Sequence, residues 1–414
     1  MDSVLPKLRA VEAFPVEVDA RQLVCLRDPL QYASQPVLVP HPAFFILTLL
    51  DGTRSMVDVQ EAFARQFGAI ADSGEIRALL DTLDRHHFLE STAFAARRTE
   101  VDTAFRAAAL RPAAHAGISY PADPEGLNTL LEGFFSGVPS PPCESGRLRG
   151  LIAPHIDMRV GGKAYGHAYR ALAETADAER FVILGTSHCG GETPFIATRK
   201  DFATPLGTVT TDREFLDRLA GRTPGDLYAE ELLHRTEHAV EFQVVMLQHV
   251  LGGRRAFTVV PILVSSFQEM IARRKPPAGD ARVAGFLSAL EETLAEDGRS
   301  TVLIAGVDFA HVGAKFGDTE GLAPELLAAT EAKDRRLIAA LEAGDRDAFF
   351  LETSHDGDRT RICGFSPMYT LLSLVSGFSG RLLHYDRTRD ETTRSSVSYA
   401  SLAFGLDGQG ATSG

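Results

Sequence analysis

The sequence predicts an α/β protein in which a mixed, mostly parallel sheet is flanked by helices, preceded by a small helical domain. Two observations favour this architecture. After Arg111, short strand-like apolar runs alternate with amphipathic helical segments, which is typical of a sheet buried between helix layers. Residues 1–95 instead show helical spacing of apolar residues. The length of 414 residues allows two or three domains of ordinary size.

The first domain is predicted to have winged-helix character. The apolar stretch 41–50 is typical of a buried helix, and an Asp-Gly pair ends it. Ser55, with Asp58 three residues later, predicts a capping box at the start of a second helix. Residues 75–86 predict a third helix, and residues 88–90 predict the return strand of a wing. An alternative interpretation is a helical packing module that binds no ligand.

The second domain is predicted to span residues 111–408. An Ala- and Arg-rich segment at 96–110 is expected to form a linking helix before it, and a Gly-rich flexible tail is expected at 409–414. Apolar runs predict five strands, at 148–153, 181–185, 257–264, 301–307 and 397–404. Amphipathic spacing predicts four helices, at 164–173, 239–250, 283–294 and 326–341.

Composition and charge exclude several classes of protein. The chain has 42 Lys and Arg against 55 Asp and Glu, and the net charge of −13 argues against nucleic-acid binding. The apolar runs are shorter than the ~20 residues that a membrane span needs, and no secretion signal is recognisable. Four cysteines in so long a chain do not make a disulfide framework. We therefore expect a reduced, cytoplasmic protein that binds neither nucleic acid nor membrane.

Side chains that can bind metals follow three of the predicted strands. His155 follows the first strand of the second domain, His188 follows the next, and Asp308 and His311 follow a third. Because ligands bind at the carboxyl ends of parallel strands, these side chains are expected to converge if the strands are neighbours. A single strand-end His is more often a hydrogen-bonding loop residue. Their joint occurrence nevertheless favours a shared polar site.

A metal ion is the ligand that suits this set of residues. Imidazole nitrogens bind iron, zinc, copper and nickel. Cys363, which follows no clear strand, adds a thiolate in the anionic position of a site with two His ligands. A thiol binds metal only when deprotonated, and a nearby cation lowers its pKa. Taken alone, Cys363 is more often a small buried hydrophobic residue, and Asp308 is the alternative anionic ligand.

Nine motifs run in order through the second domain. They are 114–121 (AHAGISYP), 153–155 (APH, followed by a Gly-Gly pair), 184–188 (LGTSH), 204–207 (TPLG), 237–243 (EHAVEFQ), 260–264 (VPILV), 308–311 (DFAH), 362–364 (ICG) and 395–400 (SSVSYA). With these motifs the chain from about Arg111 to Asp407 resembles the Memo family, known in prokaryotes as AmmeMemoRadiSam system protein B.

The resemblance implies a fold and a set of site residues. Memo proteins are similar in fold to class III extradiol ring-cleaving dioxygenases, which hold Fe(II) with two His and a carboxylate. The resemblance implies that His155 and His188 are the imidazole ligands and that Cys363 replaces the carboxylate. His311 matches the acid–base histidine of the dioxygenases, and Asp308 lies beside it in the same motif.

Other positions match the family or depart from it. Glu237 and His238 match a family motif near the cleft and are expected to orient the metal ligands without binding the metal themselves. The first ligand loop of the family is often His-Ala-Gly-Tyr, whereas here it is His-Ile-Asp-Met, which places Asp157 beside the site. The motif that ends in His in the family ends here in Gln243. Tyr399 can reach the cleft, although a strand Tyr is more often packing.

The metal and the reaction stay open at this point. Fe(II) is the first expectation and copper the second, while zinc also fits two His, one Cys and water. His311 would move protons. One hypothesis is a metal-dependent, oxygen-using redox enzyme acting on a small molecule or peptide. Another is a metal-binding adaptor with little turnover, and a third is a dioxygenase-like fold kept for binding alone.

The first domain adds an expectation about partners. Residues 45–54 (FILTLLDGTR) and 79–89 resemble pyrroloquinoline-quinone peptide-chaperone (PqqD-like) domains, which hold a peptide strand for a radical-SAM enzyme. This resemblance implies peptide binding at the first domain. Together with the Memo resemblance it implies a radical-SAM enzyme and an AMMECR-type protein as partners.

Overall fold

The computed structural model describes the chain except for residues 1–3, 34, 142–147, 320 and 407–414. The tail expected at 409–414 lies outside the described residues. The chain divides into two compact units, Met1–Ala108 and Ala109–Gly414. In the described part of the chain, no helix combines the length and the apolar character needed to cross a membrane.

The first unit combines a three-stranded antiparallel sheet with four helices. The strands, in sheet order, are β1 (Glu12–Val18), β2 (Arg21–Arg27) and β3 (Val37–Pro40). The helices are α1 (His41–Thr48), α2 (Met56–Phe67), α3 (Ser73–Arg85) and α4 (Thr92–Ala107). The capping box predicted at the start of α2 is confirmed, since Ser55 and Asp58 bond each other's backbone N–H groups.

Two features of the first unit differ from the sequence prediction. The β1–β2 hairpin was not predicted, because β1 is exposed along most of its length and lacks the apolar alternation of a half-buried strand. The return strand predicted at 88–90 is wrong. Leu89 makes only an isolated bridge to Leu8. Phe88 and Leu89 are both buried, so the segment does not alternate between two faces as a strand does.

The second unit is built on an eight-stranded mixed sheet. The strands of the unit are β4 (Leu110–Arg111), β5 (Gly150–Ala153), β6 (Arg180–Thr186), β7 (Phe195–Ala197), β8 (Asp201–Thr204), β9 (Gly207–Val209), β10 (Thr258–Val264), β11 (Thr301–Gly306), β12 (His311–Gly313), β13 (Gly380–Arg387) and β14 (Ser395–Phe404). The large sheet has the order β12-β14-β5-β11-β6-β10-β7, with β13 paired to β14, and β4-β8-β9 form a small separate sheet.

Helices cover the large sheet. They are α5 (Pro124–Phe134), α6 (Met158–Thr175), α7 (Arg213–Arg222), α8 (His238–Leu251), α9 (Gln268–Ala272), α10 (Ala281–Asp297), α11 (Pro324–Glu342), α12 (Arg346–Ser354) and α13 (Phe365–Leu374). Alternate residues of β6 pack on opposite sides: Val182 and Leu184 belong to one apolar cluster, Phe181 and Ile183 to the other. The sheet therefore lies between two apolar layers, which confirms the predicted α/β class.

The central strands place the candidate site. β5, β11, β6 and β10 are parallel neighbours, whereas β7, β12, β13 and β14 pair antiparallel. Because β5, β11 and β6 are adjacent and parallel, their carboxyl ends meet at one edge of the sheet. His155, Asp308 and His188 follow these three strands directly. The five predicted strands correspond to β5, β6, β10, β11 and β14, and the four predicted helices to α6, α8, α10 and α11.

Candidate metal centre

Three histidines form a cluster at the carboxyl edge of the sheet. Each of His155, His188 and His238 offers one ring nitrogen, and these nitrogens lie within 4.8 Å of one another. The ring centroids of His155 and His188 are 4.7 Å apart, and those of His188 and His238 are 4.6 Å apart. His238, expected only to orient the ligands, is the first residue of α8, and its ring centroid is 5.1 Å from that of His155.

Hydrogen bonds orient all three rings in the same way. Nδ1 of His155 lies 2.9 Å from the carbonyl oxygen of Gly306. Nδ1 of His188 lies 3.0 Å from Oε1 of Glu237, and Nδ1 of His238 lies 3.2 Å from the same oxygen. Because each Nδ1 is engaged, the Nε2 atoms are left as the available ligand atoms. Metal-binding histidines are fixed in this way by carbonyl and carboxylate partners, so the residues fit a metal ion.

Glu237 connects two of these rings. It is buried, caps the N-terminus of α8 by accepting from the N–H of Ala239, and accepts from the backbone N–H of His188 at 2.9 Å. Burial alone would raise the pKa of Glu237, but the charge and hydrogen bond of His188 and the hydrogen bond of His238 hold it well below its usual value. The pKa of His188 is raised well above its usual value by Glu237 and Cys363, against the effect of burial. Glu237 is therefore an anion that forms an ion pair with protonated His188.

His155 and His238 are held in the neutral form. Burial, with the nearby charge of His188, lowers the pKa of His155 well below its usual value. Burial is also the largest cause of the lowered pKa of His238. Neutral imidazole is the form that binds metals, so His188 would release its proton when a metal binds.

A buried ion pair holds Glu237 in place. Arg111 is fully buried, hydrogen-bonds the Glu241 carboxylate and donates to the backbone carbonyl of Glu237 at 2.8 Å. Glu241 also accepts from the Tyr120 hydroxyl and from two backbone N–H groups of the 114–121 motif. Sequence reasoning missed this network, although Tyr120 in the 114–121 motif and Glu241 in the 237–243 motif were the available signal.

Cys363 lies beside the cluster. Its Sγ is 3.3 Å from Nε2 of His155 and 3.7 Å from the carbonyl oxygen of Asp308, and it hydrogen-bonds His188. Burial raises the pKa of the Cys363 thiol, and the hydrogen bond from His188 opposes this only in part. The structure thus brings together His155, His188 and Cys363, which lie far apart in the sequence. In the apoprotein the sulfur is a thiol, and a bound cation would favour the thiolate.

Asp308 fastens the His155 loop. Its Oδ1 accepts from the backbone N–H groups of His155 and Ile156 at 3.2 and 3.3 Å, and its Oδ2 lies 3.6 Å from Nε2 of His155. Burial raises the pKa of Asp308 to about 7, despite the two backbone hydrogen bonds that lower it. Asp308 can therefore hold or release a proton near neutral pH.

His311 lies at the start of β12, on the wall of a cavity next to Cys363. Its Nδ1 is 3.1 Å from the carbonyl oxygen of Phe309, and its ring packs edge-on against Phe316. Burial lowers the pKa of His311 to about 4. At neutral pH the ring is therefore an uncharged base, and within the described part of the chain no hydrogen bond engages its Nε2.

Three other predicted positions have contacts outside the cluster. Asp157 caps α6 by accepting from the N–H of Arg159 at 2.9 Å. Gln243 donates to the carbonyl oxygen of Pro154 at 2.9 Å, which steadies the residue before His155. The Tyr399 hydroxyl lies 3.4 Å from the carbonyl oxygen of Val160 in α6, and this contact is one of packing.

Comparison with known proteins identifies the family. A family model described as "Memo-like protein" matches residues 111–403. A MEMO1 family protein of Aquifex aeolicus is 31% identical over 383 residues, which cover 92% of this chain and 95% of the relative. A MEMO1 family protein of Methanopyrus kandleri is 32% identical over 312 residues, 71% of this chain and 98% of the relative. A MEMO1 family protein of Thermus thermophilus is 28% identical over 349 residues, which cover 84% of this chain and 98% of the relative. The chain belongs to the Memo family.

Proposed function

We propose that this Memo family protein binds one transition-metal ion through His155, His188 and Cys363. Fe(II) is the first candidate, and copper and zinc are the alternatives. The observation that carries the proposal is the convergence of three oriented imidazoles and a thiol at one edge of the sheet. Mixed nitrogen and sulfur ligands suit these metals, and hard cations such as Mg²⁺ prefer oxygen.

His238 is proposed as an additional or alternative ligand. Its Nδ1 is engaged by Glu237, as is that of His188, so both rings offer Nε2. A site of three His and a site of two His and one Cys are both known patterns for such metals. Metal content of single variants at His238 and Cys363 separates the two ligand sets.

We further propose a redox reaction of the oxygenase type at this centre. A bound metal would supply Lewis-acid or redox chemistry at its open coordination positions. His311 would accept a proton at Nε2, because its ring is neutral at neutral pH and faces the cavity. Asp308 would hold a second proton next to His155, and Glu237 would keep His188 and His238 oriented.

Elemental analysis of protein purified without oxygen tests the metal site. We expect about one equivalent of metal in the natural sequence, consistent with a single cluster, and a clear loss in Cys363→Ala and His155→Ala. Cys25→Ala is the matched control, because Cys25 is a buried cysteine of the first unit. Metal retained in both site variants would contradict the proposal. Metal lost only in His155→Ala would favour His238 or Asp308 over Cys363 as ligand.

Oxygen uptake tests the redox reaction. Uptake by the iron-loaded protein that is lost in His311→Ala, with metal content unchanged, would support the enzyme. Bound metal without uptake would favour the second candidate function, a metal-binding adaptor.

The adaptor function is favoured by the separate first unit, Met1–Ala108. We propose that this unit binds a radical-SAM enzyme or its peptide substrate, with an AMMECR-type protein as a further partner. Co-purification should be compared between the full chain and a variant that lacks residues 1–108. The Methanopyrus relative is matched over 98% of its length by 312 aligned residues, so a family member of that size exists. Unchanged co-purification after the deletion would contradict this role.

A further inference from the structure

We infer that the cavity beside the centre takes an uncharged, mostly apolar small molecule and disfavours anions. This inference rests on the proposed function, because it names the class of ligand that would meet the metal. The cavity has a volume of about 430 Å³ and is reached by His188, His311 and Cys363. This volume lies toward the lower end of the roughly 300–1,000 Å³ of small-molecule sites.

Most of the cavity wall is apolar. The lining side chains of this kind come from β10, α9, α13, the loops before α9 and α13, and the 3-10 turn after β12: Val264, Phe267, Ile271, Phe316, Ile362 and Phe365. Burying apolar ligand surface against such a wall is favourable, whereas an unpaired polar or charged group would lose its hydration.

The neutral polar side chains of the wall are already bonded to the protein backbone. The Thr186 hydroxyl donates to the carbonyl oxygen of Cys363 at 3.3 Å. The Ser366 hydroxyl accepts from the N–H of Phe267 at 2.9 Å, and that of Ser266 accepts from the N–H of Gln268 at 3.2 Å. These bonds use part of the hydrogen-bonding capacity of the neutral polar groups.

The charged groups of the wall are also matched. Arg361 forms a two-pronged pair with Asp318, with distances of 2.7 and 3.2 Å from its guanidinium to the two carboxylate oxygens, and it also donates to the carbonyl oxygen of His311. Asp358 adds a carboxyl, which accepts from the N–H of Ile362. His188, the other cation of the wall, is paired with Glu237 at 3.0 Å. An anion that entered the cavity would therefore meet no uncompensated cation among these groups.

The polar end of the cavity is the centre itself. Among the described residues, no hydrogen bond engages Nε2 of His311, whose Nδ1 is bonded to Phe309. Cys363 and His188, which hydrogen-bond each other, also line the cavity. A ligand of the inferred class would place its apolar body against the wall and one uncharged polar group at this end.

Fluorescence titration with a matched pair of dyes tests the inference. N-phenyl-1-naphthylamine is neutral, and 1-anilinonaphthalene-8-sulfonate has the same aromatic body with one negative charge. The chain has no Trp, so its intrinsic fluorescence interferes little. With full-length protein stripped of metal by a chelator, we expect the neutral dye to bind at least about tenfold more tightly, because an unpaired charge is costly to bury. Equal or tighter binding of the anionic dye would overturn the inference.

Two sets of variants locate the dye. Ile271→Phe narrows the cavity and should weaken binding of the neutral dye about tenfold or more, as should Val264→Phe if the first variant folds poorly. Leu351→Phe is the control, because Leu351 is exposed and does not line the cavity. Neutral-dye binding that is the same in both cavity variants and the control would overturn the inference.

Asp318→Asn tests the charge argument itself. It leaves Arg361 without its carboxylate, so binding of the anionic dye should strengthen about tenfold while that of the neutral dye stays the same. Unchanged anionic-dye binding in a folded variant would refute the role of the Arg361–Asp318 pair. All titrations use the metal-free protein, so failure of metal binding with dye selectivity retained would overturn only the proposed metal site. Metal binding without dye selectivity would overturn only the present inference.

Discussion

Replacing Glu241 with Ala is expected to destabilise the second unit strongly. The side chain is fully buried, pairs with the equally buried Arg111, and accepts from the Tyr120 hydroxyl and two backbone N–H groups at 3.0 and 3.1 Å. Removing one partner of a buried ion pair costs about 3–5 kcal/mol, because the other charge is left unpaired. The orphaned backbone donors add to this cost.

Thermal unfolding measures the effect. At roughly 2–4 °C per kcal/mol for a domain of this size class, the Glu241→Ala variant should melt about 6–20 °C lower. Glu214→Ala is the control, because Glu214 forms an exposed pair with Arg218, and such pairs contribute at most about 1 kcal/mol.

The same variant also tests the connection to the centre. Arg111 donates to the backbone carbonyl of Glu237, so Glu241→Ala should weaken metal binding as well as stability. A melting temperature within about 2 °C of the control would refute the energetic reasoning. Strong destabilisation with unchanged metal affinity would refute only the claim that the network positions Glu237 at the metal centre.

Four further substitutions have defined outcomes. Glu237→Gln should lower metal affinity about 10–100-fold in a competition titration with a chelator, because the carboxylate orients two imidazoles; unchanged affinity would contradict this role. Burial raises the pKa of Asp334 to about 6 in the folded protein, above its value in the unfolded chain. The stability that this group contributes is therefore present at low pH and is lost as the pH rises through about 6. As the pH rises from 4 to 7, the free energy of unfolding of Asp334→Asn should therefore increase relative to that of the natural sequence by about 3 kcal/mol, measured by denaturant unfolding. A difference between the two proteins that does not change with pH would contradict the assignment. Gly166→Ala places a Cβ too close to the carbonyl oxygen of Phe134 and should cost about 1–3 kcal/mol of stability. Gly221→Ala meets nothing within 4 Å and should stabilise α7 by about 0.5–1 kcal/mol; equal melting temperatures of the two variants would contradict this contrast.

The elements that were predictable from the sequence are those buried on both faces. Strands such as β6 are continuous apolar runs, because parallel strands between two helix layers have no solvent-exposed face. The short strands β7, β8 and β9 have three or four residues each, too few for a periodic signal. The strand β1 lacks a periodic signal because it is exposed along most of its length. It forms a strand because it pairs with β2.

The site was predictable only in part, because only some of its residues follow a strand that can be recognised in the sequence. His155 and His188 each follow a recognisable strand, so their position along the sheet edge could be read from the sequence. Cys363 follows no strand, and its approach to His155 depends on how the loop before α13 packs. The place of His238 in the cluster depends on the orientation of α8, which Arg111 sets from a distant position in the sequence by bonding the Glu241 carboxylate and the Glu237 carbonyl. Such long-range contacts leave no local pattern.

Absorption spectroscopy during anaerobic titration with Co(II) tests the central claim most directly. Our account predicts saturable binding with visible Co(II) bands and a near-ultraviolet thiolate-to-metal band. The thiolate band should vanish in Cys363→Ala, and all bands should vanish or require far more Co(II) in His155→Ala. Spectra that are identical in the natural sequence and in both variants would contradict the claim that His155 and Cys363 bind one metal ion.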